Sequence, residues 1–383
     1  MSVTAPAGFR AAGFAAGLKA SGRKDVAVVV NDGPLTAAAA VFTSNRCKAN
    51  PVLWSQQAIK GGTAKAVVLN SGGANCYTGP AGFAVTHGTA ELAAEKLGVG
   101  ATEIQVCSTG LIGLLNDKAT LLSGVASALE ALDTAGGASA AEAIMTTDTV
   151  PKQALSQATG WSVGGMAKGA GMLAPALATM LVVVTTDAVA DSATLDAALR
   201  TATSKTFDRL DSDGCQSTND TVLVMASGAS GVEPAVEELA EHLTTVCHDL
   251  ALQLLADAEG ADHEIAITVV NAASEADAVD VGRSVARSNL FKCAIFGKDP
   301  NWGRILASVG TTDAVFDPAD LDVSLNGVPV CVNSGPGESP DTVSLDERAV
   351  AVVIDLKSGD AIATVWTNDL THAYVHENSA YST

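Results

Sequence analysis

Short runs rich in Val, Ile and Thr, at residues 26–30, 66–69, 103–108, 180–185, 221–225 and 264–270, alternate with Ala, Leu and Glu stretches at helical spacing. This alternation constrains the fold more than any other feature. The best helical stretches are 84–97, 119–132, 195–206, 235–258 and 275–288. The pattern predicts a mixed α/β chain whose helices and strands form layers. Farther on the texture changes. Residues 321–332, 349–356 and 361–366 read as short strands joined by turns such as Ser334-Gly335-Pro336-Gly337, which predicts an antiparallel sheet. The Ala/Gly-rich patch at 134–143 reads as a flexible connector, and no fixed-period repeat divides the chain. With 383 residues, 48% of them hydrophobic, there is ample chain for a buried core.

Charge narrows the choice of partners. The chain has 22 basic and 42 acidic side chains, a net charge of −20, and repels phosphate backbones and anionic lipid. Nucleic acid and membrane surfaces are therefore poor partners. The cysteines, Cys47, Cys76, Cys107, Cys215, Cys247, Cys293 and Cys331, lie far apart, with no CxxC pair and an odd total. They predict reduced thiols in the cytoplasm rather than a disulfide framework or a zinc site. The longest apolar run, 173–184, is broken by Pro175 and Thr179 and is shorter than the roughly 20 residues of a membrane span. The apolar stretch 11–18 has only Arg10 before it, which argues against a signal peptide.

Neither GxxxxGK[ST] nor GxGxxG occurs among the 36 glycines, which argues against ATP or NAD as cofactor. Residues 160–164 match the nucleophile-elbow pattern GxSxG. The context fails, because 153–159 does not look like a strand and a glycine-rich loop follows; Ser162 reads as a turn residue. His372 and His376 would share a helix face, but no third ligand stands at a recognisable spacing, so no metal site is expected. The segment KGAGMLAPALATML, 168–181, is chemically richer. A threonine opening a strand after a Gly/Pro loop can turn its hydroxyl onto the preceding carbonyl, here that of the small Ala178, and cut the chain there. The freed Thr179 would then carry a nucleophilic Oγ beside an α-amine of pKa near roughly 8, able to act as its base. Read alone, the segment fits a buried strand threonine better. Cys107-Ser108-Thr109-Gly110 ends a strand with a hydroxyl next to an unencumbered N–H, two donors suited to an oxyanion hole, although Thr-Gly is also a common turn.

Taken together, these blocks resemble the ornithine acetyltransferases of arginine biosynthesis, also called bifunctional glutamate N-acetyltransferase/amino-acid acetyltransferase. The match spans nearly the whole chain in the family's order: NSGGAN at 70–75, CSTGLIG at 107–113, AIMTTDTVPK at 143–152, the 168–181 block, STND at 217–220, ADAEG at 256–260, DPNWGR at 299–304 and ENSAYST at 377–383. The resemblance implies an α/β/β/α N-terminal-nucleophile-like core with a smaller C-terminal α/β part beginning near residue 275. It also implies self-cleavage between Ala178 and Thr179 into an α chain, 1–178, and a β chain, 179–383, assembled as an α2β2 heterotetramer. Thr179 would take the acetyl group from N2-acetyl-L-ornithine, release ornithine, and pass the acetyl to glutamate, giving N-acetylglutamate. Thr109 and Gly110 match the family's oxyanion donors. Thr146, Lys168, Thr179, Glu259, Asn378 and Thr383 match its substrate-binding positions, with Lys168 suited to a carboxylate and Glu259 to an ammonium. No cofactor is implied, and acetyl-CoA stays open as a second acetyl donor.

Three places depart from the pattern: Gly73 stands where Asn is common, Cys76-Tyr77 where Ala-Cys is usual, and Asp262-His263 where Thr-Lys is frequent. The last removes a positive charge near the expected pocket and leaves selectivity open. Two other functions compete: an amidohydrolase that gives the same acyl group to water, and a non-catalytic amino-acid-binding oligomer with an uncut chain.

Overall fold

The runs at 26–30, 66–69, 104–108, 181–185 and 221–225 are strands buried at every position because both of their faces are covered, whereas the run at 264–270 alternates between buried and half-buried positions. The computed structural model describes residues 2–171 and 180–380. In it β1 (Phe9–Phe14), β2 (Val26–Asn31), β4 (Ala66–Asn70) and β5 (Ile104–Ser108) form one sheet, in that order. A second sheet runs β3 (Ala37–Phe42), β9 (Thr221–Ala226), β8 (Leu181–Thr186), β7 (Trp161–Lys168) and β6 (Lys152–Ala158). The β4–β5 and β8–β9 pairs are parallel and the rest antiparallel.

Side chains alternate between two cores, as the strand period of two requires. Ala27, Val29, Val67 and Leu69 of the first sheet meet Leu181, Val183, Leu223 and Met225 of the second. On the outer face of the first sheet, Val26, Val28 and Val68 pack on α2 (Gly79–Leu97) and α3 (Lys118–Glu130). On the outer face of the second, Val182, Val184, Val222 and Val224 pack on α5 (Ser192–Lys205) and α6 (Val236–Ala256). The layers are therefore α/β/β/α, as expected. Helices α3 and α5 start at carboxylate caps, Asp117 and Asp191 accepting from Thr120 and Thr194 N–H. Helix α1 (Asn50–Ala58) lies against β5.

The C-terminal region forms a third sheet in the order β13 (Gly335–Pro336), β12 (Val328–Val332), β11 (Asp322–Leu325), β14 (Ala349–Asp355), β10 (Glu264–Ala272) and β15 (Ala361–Asn368). It is antiparallel as predicted except that β10 and β14 run parallel. One face packs on α7 (Glu275–Ala286), α8 (Asn289–Phe296) and α9 (Trp302–Val309), and α10 (His372–Ala380) follows the last strand.

Two local expectations are corrected. The 134–143 connector contains α4 (Gly137–Ala143), packed on β1 and β2. The stretch around GxSxG is the β6–β7 hairpin, so Ser162 lies within a strand, its N–H donating to Asp187 Oδ1 at 2.7 Å. All seven cysteines are free, and no helix among the described residues is long and apolar enough to cross a membrane.

Candidate active site

β5 ends at Ser108, and the turn after it carries Thr109 and Gly110. Three contacts fix that turn. Thr109 N–H donates to Asn70 O at 2.9 Å, Asn70 Nδ2 donates to Ser108 Oγ at 2.7 Å, and Asn219 Nδ2 donates to Ser108 O at 2.8 Å. Gly110 has φ +122°, and a Cβ there would lie 3.0 Å from the Gly73 Cα; the position needs glycine for both reasons. Lys168, the last residue of β7, is only 2% exposed and donates from Nζ to Thr109 Oγ1 at 3.2 Å. That contact occupies a lone pair and leaves the Thr109 hydroxyl hydrogen to donate elsewhere.

Beneath Lys168 lies a buried charge network. Asp148 accepts from Thr146 N–H at 2.9 Å, Gly169 N–H at 2.6 Å and Lys152 Nζ at 2.7 Å, and Lys152 also reaches Asp257 at 2.6 Å. Burial pushes the Asp148 carboxyl up, but Lys168 and Lys152 with the Gly169 N–H outweigh it and hold the group down to about 2. Burial lowers the Lys168 pKa, and Asp148 opposes the shift. Asp148 thus ties Thr146, Lys168 and the segment after β7 to one anion.

Glu259 follows α6, its N–H bonded to Ala170 O at 2.9 Å. Burial, joined by the charges of Asp213 and Glu377, raises its pKa against the opposing effects of Thr147 and Asn378. Gly260, at φ +62°, lets the start of α10 come close, since a Cβ there would sit 2.2 Å from Tyr374 N. Thr371 Oγ1 donates to Gly260 O and so docks α10 beside Glu259.

Thr109, Gly110, Thr146, Lys168, Glu259 and Asn378, all expected from sequence, line one cavity together with Gly171 and Asn219. Ala178, Thr179 and Thr383 lie outside the described residues. A wider groove of about 830 Å³ between α5 and α6 shares none of these residues. Sequence reasoning gave no role to Asp148, Asn219 or Asp220, although all three fall in the matched blocks. Polar residues flank all three in the sequence, so their place in those blocks was the one available signal. His263, at one of the departures, turns its ring to Asp369 at 2.7 Å and Leu345 O at 3.1 Å rather than into the cavity. His372 and His376 both lie on α10, and no group of three metal-holding side chains occurs among the described residues.

The chain as a whole is similar to known proteins. A model of the ArgJ family matches residues 10–383. The chain belongs to the ArgJ family. The arginine biosynthesis bifunctional protein ArgJ of Streptomyces coelicolor is 62% identical over 382 residues, covering 100% of both chains. The protein of the same name from Mycobacterium tuberculosis is 55% identical over 388 residues, covering 99% of this chain and 96% of its own. Among solved structures, ornithine acetyltransferase of Mycobacterium tuberculosis complexed with ornithine aligns at 56% identity and a TM-score of 0.45, over 47% of this chain and 96% of that one. ArgJ of Bacillus halodurans aligns at 35% identity and a TM-score of 0.49, over 51% and 97%. Membership of ArgJ makes this chain an enzyme of arginine biosynthesis, in agreement with the resemblance read from the sequence.

Proposed function

We propose that the chain transfers the acetyl group of N2-acetyl-L-ornithine to L-glutamate through an acetyl-threonine on Thr179, after cutting itself between Ala178 and Thr179. One observation carries the reading: the six matched positions, drawn from widely separated parts of the chain, line a single cavity. Gly171, just before the 172–179 segment, lines it too.

The Thr179 Oγ attacks the acetyl carbonyl carbon and gives its proton to the α-amine of the same residue. Thr109 O–H, with its oxygen already held by Lys168, and Gly110 N–H receive the negative charge that develops on the carbonyl oxygen. The tetrahedral adduct expels the ornithine amine, which takes the proton back, and leaves acetyl-Thr179. Glutamate then attacks through its amine and reverses the sequence, a ping-pong cycle that needs no cofactor. Acetylornithine carries a carboxylate and a side-chain ammonium, and Lys168 and Glu259 offer the complementary charges. The resemblance also implies an α2β2 assembly, and the bifunctional name of the relatives leaves room for a second activity, for which acetyl-CoA is the candidate acetyl donor to glutamate.

The test is to supply acetylornithine with and without glutamate. Acetylglutamate formed in step with ornithine supports the reading. Acetate released at the same rate whether or not glutamate is present points to the amidohydrolase, and no turnover from an uncut chain points to a binding protein. Acetyl-CoA plus glutamate tests the second donor separately.

A further inference from the structure

The loop leading into β9 carries two neighbouring buried side chains, Asn219 and Asp220, that hold two different segments, the turn after β5 and the residue that precedes β8. Asn219 Nδ2 donates to Ser108 O at 2.8 Å and to Ala74 O at 2.7 Å, and so holds the turn that presents Thr109 and Gly110. Asp220 Oδ1 accepts from Met180 N–H at 3.0 Å. Thr221 N–H donates to Met180 O at 3.2 Å, so consecutive residues take both backbone polar groups of Met180. The Met180 nitrogen is covalently joined to residue 179. The loop is itself fixed. Thr43 N–H donates to Asp220 O and Ala49 N–H to Thr218 O, each at 3.0 Å, and Thr43 Oγ1 donates to Ser217 O at 2.7 Å.

We infer that Asn219 and Asp220 are positioning residues that together set the separation between the oxyanion donors and the peptide bearing Thr179, Asn219 by donating and Asp220 by accepting. The inference rests on Thr179 as nucleophile. Both residues act through others, Ser108 and Met180, and a shift of about 1 Å between reacting groups is enough to cost roughly 100-fold in rate.

The two positions need opposite chemistry. Burial pushes the Asp220 carboxyl well above the usual carboxylate range, and an asparagine there presents the same acceptor oxygen in the same volume. An aspartate at 219 would lose the donor that Ser108 O and Ala74 O require.

The experiment compares Asp220→Asn, Asp220→Ala, Asn219→Asp and Thr179→Ala in the full chain. It reads the fraction cut at 178/179, kcat and KM for acetyl transfer, and Tm. Asp220→Asn should keep kcat within about fivefold, whereas Asp220→Ala and Asn219→Asp should lose roughly 100-fold in kcat with KM changed less than about threefold. Asp220→Ala with kcat intact, Asp220→Asn as damaged as Asp220→Ala, or Asn219→Asp at full rate would each overturn the inference. If Asp220→Ala does not fold, the Asp220→Asn and Asn219→Asp pair still decides. Turnover retained in Thr179→Ala defeats the nucleophile reading itself. An inactive Thr179→Ala beside a fully active Asn219→Asp defeats only the positioning role.

Discussion

Two side chains set the charge of the cavity, and burial moves both from their ordinary titration ranges: Glu259 upward and Lys168 downward. A carboxylate that holds an ammonium is lost as pH falls through its raised pKa. An ammonium that holds a carboxylate is lost as pH rises through its lowered one. Ornithine affinity, measured by calorimetry across pH, should therefore weaken on the acid side above the ordinary glutamate value of about 4.3 and on the alkaline side below the ordinary lysine value of about 10.4. Glu259→Gln should flatten the acid side and leave the alkaline side in place; an unchanged acid side would remove Glu259 from the ligand set. At this scale the sequence is legible only through its matched blocks. Taken singly, Thr109-Gly110 is a strand-ending turn, Lys168 a loop charge and Glu259 a solvated helix end. Asp148, Asn219 and Asp220 have no readable role because spacing along the chain does not say which polar group β7, β8 and β9 will enclose.

Periodicity locates the long elements within a few residues, since 3.6- and 2-residue patterns follow directly from which face is buried. It fails where glycine replaces the expected side chain. Gly164-Gly165 in β7 reads as loop, yet a Cβ on Gly165 would lie 2.8 Å from Val246 Cγ1 and 2.9 Å from Leu250 Cδ1, so α6 fills the space a side chain would take. The missing 137–143 helix has the same origin. A Cβ on Gly136 would meet Ala11 O at 1.8 Å, and one on Gly137 would meet Ser2 Oγ at 2.0 Å. Close approach, not flexibility, selects these glycines. The element with the clearest functional consequence is α10, which Gly260 admits to the site. Gly260→Ala places a Cβ against Tyr374 N at an unfavourable φ, and should raise KM for acetylornithine by about tenfold, equivalent to about 1.4 kcal/mol. An unchanged KM would mean that α10 takes no part in binding.

Across the whole molecule, the α/β/β/α core places β7, β8 and β9 side by side, so that the end of β7, the start of β8 and the loop into β9 converge at one edge. The third sheet returns α10 to that edge. Below it, Asp148, Lys152 and Asp257 link β6 to the end of α6 through ion pairs of which Lys152 is wholly buried. Asp148 has a folded pKa of about 2. Its contribution to stability is therefore complete above the unfolded aspartate value of about 3.9 and is lost as pH falls from there through about 2. Asp148→Asn, which takes from buried Lys168 its main opposing charge and leaves Lys152 with Asp257 alone, should cost about 3 kcal/mol near neutral pH by urea unfolding, with the deficit narrowing below about pH 4. An equal deficit at every pH would contradict that assignment. Composition and patterning make the layered architecture legible. The meeting of three strand ends at one cavity is not, because it depends on strand order.

The most direct measurement is denaturing mass spectrometry of active enzyme after brief exposure to acetylornithine without glutamate. Two fragments are expected, with the one beginning at Thr179 heavier by a single acetyl group that disappears when glutamate is added. A fully active, uncut chain, or an acetyl group carried on the fragment ending at Ala178, would contradict it.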